Sequence, residues 1–209
     1  MSLPAWIAPS RTALLLIDMQ VDFAAPDGLS AQWGMDLSAV PDALSAAERL
    51  LRAARQAGVM VAFVGLFTTP QTDSEVWLER GRRQGHDPVG ETGLCRTGAR
   101  GSDFFGPQPE RGEPVFRKTR YSPFWDTDIA ACLKARGVDT LVLAGLTTEC
   151  CVDSTARDAL NHDFHVFVAV DACAAYEPDL HATALRMLEL NTAILTDAES
   201  VAAAWRSRL

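Results

Sequence analysis

Six short apolar segments, rich in valine, leucine and isoleucine, recur along the chain and are separated by stretches with helical spacing of apolar residues. They cover residues 12–18, 59–67, 114–118, 140–145, 164–171 and 193–196. A strand that is buried on both faces is apolar along its whole length, as in parallel sheets covered by helices on both sides. The pattern therefore predicts an α/β fold: a Rossmann-like, six-stranded parallel sheet in a three-layer α/β/α sandwich.

Helical periodicity predicts the connecting segments. Val40, Leu44, Ala47 and Leu51 recur on one helical face, and Gly58 follows where a helix often ends in the left-handed conformation. The same reasoning predicts helices at 127–136, 151–161, 178–190 and 198–208.

Segment 68–113 departs from this alternation. It is rich in glycine and proline and contains one predicted short helix, around 74–83. Long irregular segments in compact α/β domains usually serve as lids or binding loops. The basic residues Arg80, Arg82 and Arg83 are interpreted as a solvated helix face. Since the chain shows no repeat and no linker, residues 1–209 are expected to form one domain.

Charge and cysteine content exclude several classes of protein. The chain has 19 Lys+Arg against 27 Asp+Glu, a net charge of −8, which disfavours nucleic acids and anionic membranes as partners. No apolar run approaches the ~20 residues of a membrane span, and no signal peptide is expected at the N-terminus. The five cysteines include no C-x-x-C pair, so we expect reduced thiols and a cytoplasmic protein.

Three reactive side chains follow predicted strands. Asp18 ends the first, Lys118 ends the third, and Cys151 lies shortly after the fourth. Taken singly, each residue has an ordinary explanation: Asp18 as a turn residue, Lys118 as part of a solvated basic run, and Cys151 as a small core residue. Together, at one edge of a parallel sheet, they provide a base, a cation and a nucleophile, which thiol-based acyl transfer requires. If a helix begins at Cys151, the partial positive charge of its N-terminus would also stabilise the thiolate of this residue.

Three motifs resemble the isochorismatase-like cysteine hydrolases. They are Leu14-Leu15-Leu16-Ile17-Asp18-Met19-Gln20 with Phe23, then Lys118-Thr119-Arg120-Tyr121-Ser122, then Gly145-Leu146-Thr147-Thr148 through Cys151 to Ala159. The resemblance implies an Asp18–Lys118–Cys151 triad, no required cofactor and a homo-oligomer, dimer or tetramer. It also implies a cis peptide between Leu146 and Thr147, which directs the backbone N–H groups of Thr147 and Cys151 at an oxyanion.

Two cysteines are adjacent, and register distinguishes them. The family's nucleophile lies six residues after the strand-end glycine and directly before valine, which from Gly145 identifies Cys151. Cys150 is interpreted as a packing residue beneath the turn. An alternative from outside enzymology is a redox switch formed by Cys150 and Cys151 in a protein without hydrolase activity.

The branch of the family is indicated by residues 120–128, which are similar to those of enzymes acting on carbamoyl, ureido and maleamate-type linear amides. Pro123 and Asp126 depart from that branch's pattern. The predicted reaction is hydrolysis of a C–N bond in a small linear amide or ureido compound, through a thioester, with release of ammonia or amine. Candidate pocket residues are Phe23, Arg120, Tyr121, Phe124 and Trp125, of which Arg120 is either a carboxylate partner or an exposed structural arginine.

Other activities remain as alternatives. Nicotinamidases of the family hold a metal through an Asp-x-His element, whereas here Asp36-Leu37-Ser38 lacks the histidine, so no metal is expected. Isochorismate-cleaving members typically lack the nucleophilic cysteine, which disfavours that reaction. Nucleotide binding is disfavoured because the turn between Asp18 and Phe23 has no glycine.

Overall fold

A computed structural model describes residues 2–87 and 93–207 of the chain. Within the irregular segment 68–113, residues 88–92 lie outside these ranges, as does residue 208, the predicted end of the last helix.

The six predicted strands form one sheet in which all neighbouring strands run parallel. The sheet order is β3-β2-β1-β4-β5-β6. The strands are β1 (Thr12–Ile17), β2 (Met60–Leu66), β3 (Val115–Lys118), β4 (Thr140–Leu146), β5 (His165–Ala174) and β6 (Ile194–Thr196). The predicted fold class is thus confirmed.

Strand β5 continues three residues past its predicted end at Asp171. The exposed Asp171 interrupts the apolar run, which is why the sequence indicated an end there. Beyond it, Cys173 pairs with Gly145 of β4 after a register shift in that strand. Pairing with β4 thus extends β5 past the polar interruption.

Nine α-helices occur in the two described ranges. They are α1 (Leu3–Trp6), α2 (Val21–Ala24), α3 (Leu29–Gln32), α4 (Val40–Ala57), α5 (Glu75–Arg83), α6 (Ile129–Ala135), α7 (Asp153–Asn161), α8 (Pro178–Asn191) and α9 (Ala198–Arg206). The first three were not predicted, because four residues are too few to show a helical period. None of the helices in the described part of the chain is long and apolar enough to cross a membrane.

Two hydrophobic cores lie on opposite faces of the sheet. In β1, Leu14 and Leu16 face the core that includes α4 and α9, whereas Leu15 and Ile17 face the core that includes α6 and α7. All four side chains are fully buried. Burial on both faces explains the unbroken apolar sequence of this strand.

The carboxyl ends of β1 and β4 approach each other closely at Gly145. This residue has a φ of +150°, and a Cβ atom built on it would lie 2.2 Å from the backbone oxygen of Ile17. A backbone atom cannot move away as a flexible side chain can. Only glycine therefore fits at this position, immediately before the segment that leads to Cys151.

Replacing Gly145 with alanine is expected to lower the free energy of unfolding by at least about 3 kcal/mol, because an unfavourable φ is combined with a backbone clash. Gly58→Ala is the matched control. Gly58 has a φ of +69° but no atom within 4 Å of the added Cβ, so it is expected to cost only about 1–2 kcal/mol. Urea denaturation of both variants measures the difference, and equal losses would show that the clash is relieved by movement of β1.

Candidate active site

The carboxyl end of β1 lies at the point where the strand order reverses. The chain continues from β1 to β2 on one side of the sheet and later returns to β4 on the other side. Open α/β sheets bind ligands in the crevice formed at such a reversal. Asp18 directly follows β1, Lys118 is the last residue of β3, and Cys151 follows β4.

Asp18 and Lys118 form a buried ion pair. Lys118 Nζ lies 2.7 Å from Asp18 Oδ2, and both side chains are completely inaccessible to solvent. Asp18 has a φ of +50°, and its backbone N–H donates to the oxygen of Val64 at 2.9 Å. The strand ends thus fix the carboxylate, while Lys118 Nζ also donates to the backbone oxygen of Arg120 at 3.0 Å.

Cys151 lies within reach of the same ammonium group. Lys118 Nζ donates to Cys151 Sγ at 3.4 Å, and Cys151 is only 5% exposed. The cysteine belongs to a wide helical turn, Thr148–Val152, that leads directly into α7. The structure therefore brings together the three side chains that the sequence singled out.

The charges of the site are set by burial and by mutual contact. Burial raises the pKa of Asp18, and the positive charge of Lys118 and a hydrogen bond with Cys151 act in the opposite direction. For Lys118, burial would lower the pKa, but the negative charge of Asp18 and interactions with Cys151 raise it above its usual value. The amine therefore stays charged at neutral pH, beside a carboxylate that accepts a proton more readily than an exposed one.

The thiol of Cys151 differs from the expectation of a stabilised thiolate. A hydrogen bond with Cys150, burial and the negative charge of Asp18 raise its pKa well above the usual value, against the opposing charge of Lys118. The resting site thus holds a thiol, and forming the nucleophile requires transfer of its proton to a base.

The turn before Cys151 begins with a cis peptide bond between Leu146 and Thr147. Thr147 is buried, and its hydroxyl donates to Glu149 Oε1 at 2.8 Å. Thr147, Cys150 and Cys151 all line the cavity described next, so Cys150 is more than a packing residue beneath the turn.

A cavity of about 330 Å³ opens beside Cys151, at the lower end of the range for small-molecule sites. Its walls are largely apolar and aromatic. Residues lining it include Phe23, Ser30, Trp33, Met35, Leu66, Thr68, Thr72, Asp73, Trp77, Arg80, Leu94, Lys118, Thr119, Arg120, Tyr121, Thr147, Cys150, Cys151 and Tyr176. The irregular segment 68–113 thus supplies one wall.

Three of the five candidate pocket residues, Phe23, Arg120 and Tyr121, line this cavity. Phe124 and Trp125 are not among the described residues that line it. Phe124 is buried in the core on the α6 and α7 face, with its ring centroid 5.9 Å from that of Phe164. Trp125 is 49% exposed and lies over the guanidinium of Arg120.

Several cavity residues carried no signal in the sequence analysis. Trp33 and Met35 follow the unpredicted helix α3, and Trp77 lies on α5 in the irregular segment. The hydroxyl of Tyr176 donates to the backbone oxygen of Phe23 at 2.9 Å, linking the end of β5 to α2. Because the predicted strand ended at Asp171, five residues before Tyr176, nothing in the sequence indicated this contact.

Within residues 2–87 and 93–207, no group of three or more His, Cys, Asp or Glu side chains is arranged to hold a metal ion. His181 Nδ1 lies 2.8 Å from the hydroxyl of Thr148, and His162 stacks on Phe124. The absence of a metal in the working protein stays a prediction.

Comparisons with known proteins agree with this geometry. An isochorismatase domain model matches residues 12–200. The ureidoacrylate amidohydrolase RutB of Methylobacterium radiotolerans is 33% identical over 204 residues, which cover 89% of this chain and 76% of that protein.

Solved structures show the same fold. A cysteine hydrolase from Pseudomonas syringae pv. phaseolicola superposes with a TM-score of 0.82 at 25% identity, covering 98% of this chain and 96% of that one. The nicotinamidase PncA from Bacillus subtilis superposes with a TM-score of 0.72 at 26% identity, covering 90% and 99%. With a family match over nearly its whole length and a relative above 30% identity, the chain belongs to the isochorismatase family.

Proposed function

We propose that the protein is a cysteine-dependent amidohydrolase that cleaves a C–N bond in a small linear amide, ureido or carbamoyl compound. The observation that supports this most is the position of Lys118 Nζ, 2.7 Å from Asp18 Oδ2 and 3.4 Å from Cys151 Sγ, at the wall of a small cavity. The amidohydrolase relative supports the choice of an amide bond.

The reaction begins with proton transfer. The thiol of Cys151 gives its proton to the Asp18 carboxylate, and the sulfur attacks the substrate carbonyl carbon. The raised pKa of Asp18 favours this transfer, because a weaker acid is a stronger base. Lys118 keeps its charge and stabilises the sulfur anion while the carboxylate is neutral.

The tetrahedral intermediate then loses its amine. The backbone N–H groups of Thr147 and Cys151 hold the oxyanion in this proposal. Asp18 returns its proton to the leaving nitrogen, the C–N bond breaks, and ammonia or an amine departs from a thioester on Cys151. Water, deprotonated by Asp18, hydrolyses the thioester, and Asp18 then reprotonates the sulfur.

The proposal extends to the setting of the enzyme. We place it in the cytoplasm as a homo-oligomer, a dimer or a tetramer. All five cysteines, Cys95, Cys132, Cys150, Cys151 and Cys173, are free, which is consistent with a reducing compartment.

A panel of small amides tests the proposal. The purified protein is incubated with biuret, N-carbamoyl amino acids, ureidoacrylate, maleamate and nicotinamide, and ammonia release is measured. We expect turnover of at least one linear amide, with an acyl adduct on the peptide containing Cys151 after rapid acid quenching and mass spectrometry. Turnover without any adduct would favour direct attack by water over the thioester route.

A further inference from the structure

We infer that Phe23, Trp33, Met35 and Tyr176 form an apolar subsite in the cavity, so that the preferred substrate carries an aromatic or branched aliphatic group remote from its scissile bond. This inference rests on the proposed function and specifies its substrate class. All four residues line the cavity together with Cys151. Trp33 and Met35, which follow α3, are the residues that we expect to determine the specificity.

Trp33 and Met35 are large apolar side chains that the described part of the protein leaves open to solvent. Trp33 is 40% exposed and Met35 is 44% exposed. Single exposed apolar residues are common on protein surfaces. These two, however, lie two positions apart in the chain and line the same cavity. Exposed apolar side chains grouped around a concave site are typical of a surface that binds an apolar ligand.

The backbone that carries these two side chains is fixed by hydrogen bonds to α3. The N–H group of Trp33 donates to the oxygen of Leu29 at 2.9 Å, and the N–H group of Met35 donates to the oxygen of Ser30 at 3.0 Å. Gly34, between them, has a φ of +78°, which allows the tight turn. The subsite is therefore built on a hydrogen-bonded turn, and a ligand loses less free energy in ordering it than in ordering a loose loop.

The polar atoms on this side of the cavity are occupied by contacts within the protein. The hydroxyl of Tyr176 lies 2.9 Å from the backbone oxygen of Phe23 and 2.9 Å from the hydroxyl of Ser30, which is itself buried. None of the residues in the subsite carries a charge. What these side chains offer to a ligand is therefore mainly ring and thioether surface.

The charged residues of the cavity come from other elements. They lie just before α5, on α5, at the end of β3 and directly after β3, and among the described lining residues they are Asp73, Arg80, Lys118 and Arg120. The interpretation of the basic residues on α5 as a solvated face thus holds for Arg82 and Arg83, whereas Arg80 also lines the cavity. A substrate with one polar end and one apolar end would match this division of the cavity.

The size of the cavity agrees with such a substrate. An engineered protein cavity of about 150 Å³ holds a benzene molecule. The cavity beside Cys151 has about 330 Å³, roughly twice that volume. An amide or carbamoyl group has fewer heavy atoms than benzene, so the cavity can hold this reacting group and a ring at the same time.

Matched substrate pairs test the inference. The larger member of each pair carries an added phenyl group or benzyl group: N-carbamoylphenylalanine against N-carbamoylglycine, and phenylacetamide against acetamide. For each pair that the enzyme hydrolyses, we expect a wild-type kcat/KM roughly 30- to 100-fold higher for the larger member, because its ring becomes buried. Trp33→Ala should lower this preference about tenfold through KM, with kcat changed less than about threefold and the smaller substrates unaffected. Met35→Ala should lower it about threefold.

Trp6→Ala is the matched control. Trp6 is 39% exposed, close to the value for Trp33, but it lies on α1 against Phe167 and is not among the described residues that line the cavity. We expect its KM values to equal those of the wild type. Equal KM values in Trp33→Ala and Trp6→Ala, or a wild type that does not prefer the larger substrates, would contradict the subsite. Sedimentation velocity adds a further check: if Trp33→Ala dissociates an oligomer without changing the preference, Trp33 contacts a second copy of the chain and the subsite is contradicted.

A binding experiment separates this inference from the proposed function. Calorimetric titration of Cys151→Ala with N-carbamoylphenylalanine and N-carbamoylglycine needs no turnover. Tighter binding of N-carbamoylphenylalanine, lost on adding Trp33→Ala, supports the subsite even if no amide is hydrolysed and the proposed function fails. Equal affinities, or binding of neither compound, in a protein that hydrolyses other small amides would contradict the subsite and leave the hydrolase intact.

Discussion

Replacing Cys151 with alanine is expected to lower kcat for ammonia release by at least about 10³-fold, because the proposed route has no other atom that forms the thioester. Stability should change little, since a buried thiol becomes a smaller apolar side chain and the Asp18–Lys118 pair keeps its 2.7 Å contact. Steady-state assays with the best substrate of the amide panel measure the loss, and urea denaturation confirms that the variant is folded.

Cys150→Ala is the matched control for that experiment, because it removes an adjacent cavity-lining thiol without removing the proposed nucleophile. We expect kcat within about tenfold of the wild type. Since the hydrogen bond with Cys150 raises the pKa of Cys151, its loss should move that pKa downward, visible as faster iodoacetamide alkylation at a given pH. Loss of activity in Cys150→Ala with retention in Cys151→Ala would reassign the nucleophile. Reversible oxidation of both thiols in a protein that hydrolyses no amide would favour a redox switch.

Replacing Lys118 with methionine is expected to lower the free energy of unfolding by about 3–5 kcal/mol at pH 7, because it leaves the carboxylate of Asp18 buried without its cation. Burial then raises the pKa of Asp18 further above its value in the unfolded chain. The deficit should therefore grow as the pH rises and shrink towards pH 4, where the carboxyl group approaches protonation in both states. Urea titrations at pH 4 and pH 7 measure this, and activity should be lost throughout.

Two further variants distinguish loss of the Asp18–Lys118 ion pair from a general effect of replacing a lysine. Lys134→Met changes an exposed lysine in α6 and should leave stability within about 0.5 kcal/mol of the wild type. Adding Asp18→Asn to Lys118→Met removes the buried charge, so stability should recover at pH 7 while activity does not. A deficit that is equal at both pH values would mean that lost packing around the lysine stem, and not the unpaired carboxylate, destabilises the variant.

The strands and the three residues of the proposed triad could be predicted from the sequence for one physical reason. Parallel strands buried on both faces are apolar throughout, so their ends are visible, and all their carboxyl ends lie at one sheet edge. Any reactive residue directly after such a strand therefore joins the others in space. Asp18 and Lys118 lie directly at the ends of their strands, and Cys151 lies one turn beyond the end of β4.

The residues of the cavity wall were harder to predict from the sequence, because they come together through contacts between distant segments that leave no periodic pattern. Trp77 reaches the cavity through the irregular segment 68–113, whose path is set by pairings such as the backbone hydrogen bond from Thr68 to Cys95. Phe124 shows the converse. An aromatic residue close to Lys118 in sequence was expected in the pocket, but it packs against Phe164 in the core.

The placement of Lys118 on β3 has a consequence for how the site responds to warming. This strand lies at one edge of the sheet, has four residues and, among the described strands, pairs only with β2. Local unfolding of such a short edge strand costs less free energy than unfolding of the central strands β1 and β4. Such local unfolding separates the ammonium group from Asp18 and Cys151 while most of the molecule stays native. We therefore expect the temperature at which turnover ceases to coincide with increased amide deuterium uptake in β3, and not with the midpoint of global unfolding.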